Sequence, residues 1–163
     1  MVDPAAEPSG QSQGGEALQF VTCRVEGEEF AIDILRVQEI IRMVDITKVP
    51  KTASYVEGVI NLRGRIVPVI NLRRRFAMPD VARSAHSRIV IVYVSKRAVG
   101  LLVDAVSEVQ RISRSQIEAA PSIGSAMGAE FVQGVGRLGE RLMTILDLNR
   151  LLLSAALPGT GRS

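Results

Sequence analysis

The sequence has few of the side chains on which most enzyme and metal sites depend. Its 163 residues include one cysteine, one histidine and no tryptophan, and aromatic residues make up 4%. Acid–base and nucleophilic catalysis usually need a positioned histidine or a pair of carboxylates in a cleft. His86 stands in a polar stretch between the two halves of the chain, where we expect it to be solvated. Because no Cys/His cluster has metal-ligand spacing either, we expect no enzyme, no metal and no cofactor.

The single cysteine also excludes a disulfide within the chain. Cys23 lies in an apolar β-type run, Phe20 to Val25. A cysteine in that setting usually packs as a small buried hydrophobe, and a reactive thiol needs an electropositive, accessible environment. We therefore predict that Cys23 belongs to the core.

Long hydrophobic runs are absent as well. The longest runs from Ile89 to Val94, far short of the roughly 20 residues that a membrane-spanning helix needs. Residues 1–17 are rich in Pro, Gly, Ser and Gln without the apolar segment of a signal peptide. We predict that they form a disordered tail, that residues 158–163 are flexible, and that the protein is cytoplasmic without membrane insertion.

The sequence does contain a repeated segment. Residues 55–76, YVEGVINLRGRIVPVINLRRRF, align without a gap with residues 131–152, FVQGVGRLGERLMTILDLNRLL. Each copy predicts a strand, a two-residue turn containing glycine, a second strand and a capped helical turn. The turns and caps are Arg63-Gly64 with Asn71, and Gly139-Glu140 with Asp147. A shared turn register, cap and apolar pattern indicates an internal repeat.

A second pair of segments extends the repeat. Residues 20–40 align with residues 89–109, and the alternating apolar pattern of the second copy predicts strands in both. About five short strands in each half, without a long helix, predict two small barrels. We place one domain at residues 18–157, with halves at about 18–80 and 87–157. The Gly/Ser/Met-rich connection 110–130 is predicted to be mobile.

Four segments of the chain carry a resemblance to a known family. They read EEFAIDILRVQEI, GVINLRGRIVPVINLR, GLLVDAVSEV and GVGRLGERLMTILDL, and they resemble the CheW family of chemotaxis coupling proteins. The resemblance covers roughly residues 19–153. It implies an all-β fold of two intertwined SH3-like five-stranded barrels, with a hydrophobic seam between them and short helical turns after the hairpins. It also implies a non-catalytic adaptor that bridges methyl-accepting chemoreceptor tips to the regulatory domain of the histidine kinase CheA.

The resemblance also implies which residues contact the partners. Arg63 matches the arginine that the family associates with the receptor, and three apolar residues match the inter-barrel seam, although core packing is an equal alternative for each. The receptor-binding candidates are Arg63, Ile34, Val37 and Val103. The kinase-binding candidates are Glu39, Val44, Gly58 and Pro68. Because proline cannot donate to a strand ladder, Pro68 is expected at an edge or a bulge, where another barrel could dock.

The sequence also allows two other interpretations. The residues Gly134 to Gly139 match the GxGxxG dinucleotide fingerprint, but a strand follows them where that fingerprint needs a helix, so we reject cofactor binding. The net charge of +3 and the run Arg73 to Arg75 are compatible with a small basic β-barrel that binds nucleic acid. Stacking aromatics are missing, because Phe76 is predicted to pack with Leu72 in the core. Nucleic-acid binding is therefore the disfavoured alternative.

Overall fold

The computed structural model describes residues 17–119 and 129–153 as a nearly all-β protein. The strands are β1 (Ala17–Val25), β2 (Glu28–Asp33), β3 (Val37–Arg42), β4 (Val56–Leu62), β5 (Arg65–Asn71), β6 (Arg88–Val94), β7 (Arg97–Val103), β8 (Ala105–Ser113), β9 (Ile117–Ala119), β10 (Val132–Leu138) and β11 (Arg141–Leu146). Two short helices, α1 (Leu72–Arg75) and α2 (Leu148–Leu153), follow the two repeated hairpins. In this part of the chain, neither helix is long and apolar enough to cross a membrane.

The strands form two sheets that exchange hairpins between the halves of the chain. The first sheet has the order β3-β6-β7-β5-β4, and the second has the order β8-β1-β2-β11-β10-β9. Each hairpin from the other half is held by one antiparallel and one parallel neighbour, the parallel pairs being β5 with β7 and β11 with β2. We call β3–β7 the first barrel and β1, β2 and β8–β11 the second barrel. The fold of two intertwined barrels that the resemblance implies is confirmed.

The repeated hairpins have the local structures that the sequence predicts. In the first turn, Arg63 and Gly64 both have positive φ, of 53° and 87°, as in a type I′ turn. In the second turn, the positive φ of 62° falls on Gly139, as a type II′ turn requires. Asn71 caps α1 by accepting a hydrogen bond from the Arg74 N–H at 3.3 Å. Asp147 accepts the corresponding bond from the Arg150 N–H at 3.1 Å.

The apolar side chains form three clusters, one inside each barrel and one between the barrels. The cluster between them, which we call the seam, is the largest and takes side chains from both halves. At its centre, Phe76 stacks on Phe30 with ring centroids 5.2 Å apart and lies 6.0 Å from Phe131. The Arg75 guanidinium covers the Phe131 ring at 4.4 Å and donates to the Leu151 carbonyl oxygen at 3.1 and 3.2 Å. These contacts join α1 and α2 across the seam.

The structure bears on three predictions about single segments. Cys23 is fully buried, and this burial raises the pKa of its thiol to about 12, so it is a core residue as predicted. His86 is exposed, as predicted. The prediction of a connection over residues 110–130 is wrong for its first part, because residues 110–119 complete β8 and form β9. Residues 120–128 and both predicted tails, apart from Ala17, lie outside the described residues.

Candidate partner-binding surface

An ion pair marks one end of the first barrel. Arg63 occupies the turn between β4 and β5, and its guanidinium donates through both terminal nitrogens to the Glu39 carboxylate, with Nη1 3.3 Å from Oε1. Glu39 lies on β3, and β3 and β4 are opposite edges of the first sheet, so the pair joins these edges where the barrel closes. The pairing raises the pKa of Arg63 and lowers the pKa of Glu39, chiefly through the hydrogen bonds themselves. The Arg63 side chain is nevertheless 70% exposed, so it is both oriented and accessible.

Apolar side chains precede Glu39 in the chain. A 3-10 turn over Ile34–Arg36 separates β2 from β3, where the sequence predicts continuous strand, and Asp33 caps it by accepting the Leu35 N–H at 2.9 Å. The turn leaves the Leu35 side chain 88% exposed. Ile34 and Val37 on either side are half-buried, and Val37 packs against the seam. Sequence reasoning missed Leu35, and the signal available was Asp33 as a cap two residues earlier.

We call the set Ile34, Leu35, Val37, Glu39 and Arg63 the Arg63 surface. It is a short stretch of chain plus one hairpin turn, and it combines apolar side chains with a fixed guanidinium. The sequence interpretation assigned Arg63 and Glu39 to different partners. The structure brings them into direct contact, so they share one surface.

Val103 does not belong to this surface. Its side chain is 1% exposed and lies within the seam, because β7 is the central strand of the first sheet. The prediction that Val103 contacts the receptor is wrong, since a partner cannot reach the side chain. The alternative considered from the sequence, core packing, is the one the structure shows.

Gly58 is buried and has a structural role. A Cβ atom at this position would lie 2.2 Å from the Thr47 carbonyl oxygen, and φ is 149°, a value that other residues rarely adopt. The close approach exists because Thr47 and Val59 exchange backbone hydrogen bonds of 2.9 and 2.8 Å. Gly134 repeats the arrangement, with its Cβ position 2.7 Å from the Glu118 carbonyl oxygen. Gly58 therefore supports the fold and offers no side chain to a partner.

Pro68 also differs from the prediction. It is buried on β5, which lies between β7 and β4, so the expected exposed edge is wrong. Proline is accommodated because its β4 neighbour Val59 bonds to Thr47 instead, and because pairing with β7 begins one residue later, at Val69. The exposed side chain on this face of β5 is Ile66, two residues earlier and 51% exposed.

The remaining kinase candidate, Val44, is exposed on the connection beyond β3. Val44 lies two residues beyond Arg42, which is the end of β3 opposite to Val37. Val44 thus stays available for a partner, but at a distance along β3 from the 3-10 turn that presents Leu35.

The arginine run does not form a free basic stripe. Arg73 donates to Asp104 at 3.0 and 2.6 Å, Arg74 donates to Asp80 at 3.0 and 2.8 Å, and Arg75 covers the Phe131 ring. These intramolecular partners remove the main support for nucleic-acid binding. The fingerprint at Gly134–Gly139 falls on β10 and the turn that leads to β11, so no helix follows it.

Two exchanged barrels that present an oriented ion pair and apolar side chains define a protein that works by binding other proteins. The family model described as "CheW-like domain" matches residues 19–156. The chain is 38% identical over 146 residues to the chemotaxis protein CheW of Klebsiella aerogenes, covering 90% of this chain and 86% of that protein. It is 34% identical over 148 residues to that of Helicobacter pylori, covering 91% and 89%.

A solved structure agrees with these sequence matches. The crystal structure of the scaffolding protein TtCheW from Thermoanaerobacter tengcongensis superimposes with a TM-score of 0.80 at 35% identity, covering 90% of this chain and 98% of that one. The chain therefore belongs to the CheW family. It is a non-catalytic chemotaxis scaffold.

Proposed function

We propose that the protein couples chemoreceptors to a kinase. One surface binds the cytoplasmic tip of a methyl-accepting chemotaxis receptor, and another binds the regulatory domain of a CheA-type histidine kinase. The observation that carries the proposal is the exposed Arg63–Glu39 pair, with the exposed Leu35 four residues before Glu39, on a chain of the CheW family. In this proposal the protein works in the cytoplasm and reaches membrane receptor arrays through its partners.

The Arg63 surface suits an amphipathic receptor helix. Leu35 and the half-buried Ile34 and Val37 offer apolar contacts, which a helix would meet with side chains at helical spacing. Arg63 offers donors to a receptor carboxylate. Because Glu39 already orients the guanidinium, less side-chain freedom is lost on binding. We therefore assign Glu39 to receptor binding, whereas the sequence interpretation assigned it to kinase binding.

The kinase surface in this proposal lies on the outer face of β5. Ile66 is the exposed apolar side chain there, with Pro68 buried two residues further along the same face. Val44 extends the surface, and Gly58 contributes by holding β4 against the 46–47 segment. A barrel of the kinase's regulatory domain would dock through these apolar contacts.

The receptor assignment is tested by calorimetric titration with a receptor-tip fragment from the same organism. We expect Arg63→Ala to weaken binding about tenfold or more, as for loss of a charge-assisted hydrogen bond at an interface. The matched control is Arg137→Ala, because Arg137 forms a similar exposed pair with Glu118 at 3.1 Å in the second barrel. Equal affinities for the wild type and Arg63→Ala would contradict the assignment.

The kinase assignment is tested in the same way with the isolated regulatory domain. We expect Ile66→Glu to abolish measurable binding, because it buries a charge in an apolar contact, while receptor binding is retained. Leu142→Glu is the control, since Leu142 is the repeat partner of Ile66 and is 54% exposed on the second barrel. If Ile66→Glu leaves kinase binding intact, the proposed face is wrong.

A further inference from the structure

The start of β11 in the second barrel borders a concave surface whose charges are paired with one another. The Arg141 guanidinium donates to the Glu29 carboxylate at 2.8 and 3.3 Å, and the Arg24 guanidinium lies 3.7 Å from the same carboxylate. Arg141 also lies 3.8 Å from the Glu108 carboxylate. The concavity has a volume of about 770 Å³. The cations of this surface are therefore already neutralised within the chain.

The repeat places an equivalent surface at the start of β5 in the first barrel. Arg65 is the repeat partner of Arg141, and Ile66 is the repeat partner of Leu142, which lines the concavity. The turn between β6 and β7 likewise corresponds to the turn between β1 and β2, and both residues of each turn have positive φ. The equivalent surface, which we call the Ile66 end, therefore includes Arg65, Ile66, Tyr93, Lys96 and Arg97.

The Ile66 end lacks two carboxylates of its counterpart in the second barrel. Ala98 occupies the position equivalent to Glu29, so Arg65 has no acidic residue to bind there. Arg97 occupies the position equivalent to Glu28. These two differences make the Ile66 end basic, whereas the charges of its counterpart are paired.

The cations of the Ile66 end have no partner in the described part of the chain. Arg65, Lys96 and Arg97 form no ion pair and no side-chain hydrogen bond with another described residue. Glu39 is the acidic residue that the repeat places at this end, and its carboxylate is already bonded to Arg63. The three cations therefore remain available for the carboxylates of a partner protein.

We propose that the Ile66 end selects an acidic face of the kinase's regulatory domain. Ile66 and Tyr93, which are 51% and 44% exposed, supply apolar contacts, and the three cations pair with carboxylates of that face. The counterpart in the second barrel offers Leu142 in place of Ile66, but its cations are already paired, so an acidic face gains less there. Charge thus decides between two surfaces of similar backbone structure. The inference rests on the kinase assignment proposed above, to which it adds the chemistry of the partner's face.

The test is a calorimetric titration of the full chain with the regulatory domain at two salt concentrations, ~50 mM and ~500 mM NaCl, because salt screens exposed charges. We expect the double variant Arg65→Gln, Arg97→Gln to bind about fivefold more weakly than the wild type at the low salt concentration. At the high concentration the two affinities should agree within about twofold. The control is the double variant Arg111→Gln, Arg137→Gln, which removes two exposed cations from the second barrel and should leave the affinity unchanged.

The outcomes separate this inference from the kinase assignment. Equal affinities of the wild type and the Arg65, Arg97 variant at low salt, with binding abolished by Ile66→Glu, would overturn the inference and leave the assignment standing. A loss of affinity that persists at high salt would also overturn it, because the arginines would then act through packing. If Ile66→Glu leaves binding intact, the kinase assignment is wrong and the inference falls with it.

Discussion

Arg63 occupies a turn position at which the two copies of the repeat differ. Its repeat partner is Gly139, so the turn itself does not need an arginine. The residue has a positive φ of 53°, which a side chain other than Asn, Asp or Gly adopts at some cost. The bond to Glu39 holds the Arg63 guanidinium in place at the turn.

Gly58 gives a prediction about stability. Replacement by alanine should lower the free energy of unfolding by about 3 kcal/mol, because a Cβ would collide with the Thr47 carbonyl oxygen at an already unfavourable φ. The measurement is urea denaturation. Gly27→Ala is the control, because Gly27 has a positive φ of 77° with open space around it. That control should lose only about 1 kcal/mol, and equal losses would show that the contact with Thr47 is not the cause.

Asp104 gives a prediction about pH. Its hydrogen bonds from Arg73 lower the pKa of Asp104 below the ordinary value of 3.8. The stability that this pairing adds is present above that value and is lost as pH falls through the lowered folded-state pKa. Asp104→Asn should therefore cost about 1 kcal/mol at pH 7 and less near pH 2. Equal losses at both pH values in urea denaturation would contradict the charge-based explanation.

At the scale of elements, the local parts of the fold were predictable and the long-range pairing was not. The turns at Arg63 and Gly139 and the caps at Asn71 and Asp147 depend on neighbouring residues, so the sequence predicts them. The burial of Val103 and Pro68 depends on which strands lie beside β7 and β5, and these come from distant parts of the chain. The exposure of Leu35 likewise follows from a 3-10 turn within an apolar run that looks like a strand. Only the family resemblance pointed to the exchange of hairpins.

The exchange predicts that neither half folds alone. A fragment of residues 17–82 lacks β6 and β7, which separate β3 from β5 in the first sheet, and it leaves β1 and β2 without β8 and β11. We expect this fragment to give the circular dichroism and narrow amide dispersion of an unfolded chain. Mixing it with residues 83–163 should restore the dispersed spectrum. A folded, dispersed spectrum for residues 17–82 alone would show that the pairing described above is not needed.

In the whole molecule, the two barrels differ in charge. Residues 37–103, the first barrel with its connections, contain twelve Lys and Arg against four Asp and Glu. The described residues outside this range, 17–36, 104–119 and 129–153, form the second barrel with its connections and contain seven against ten. The basic barrel carries Arg63, so its field favours the approach of an acidic partner surface. Ile66 and Leu142 are exposed apolar residues at equivalent positions of the two repeated hairpins. They therefore have similar backbone surroundings but lie on barrels of different charge.

We propose that the two partners bind at the same time. The most direct measurement is a calorimetric titration of the receptor-tip fragment into a preformed complex of this protein with the kinase's regulatory domain. We expect saturable binding near one to one, with an affinity within about threefold of that for the free protein, if Arg63 and Ile66, three residues apart in one hairpin, serve different partners. Loss of receptor binding in the complex, or release of the kinase domain as receptor is added, would mean that the partners compete for one surface and would contradict the claim.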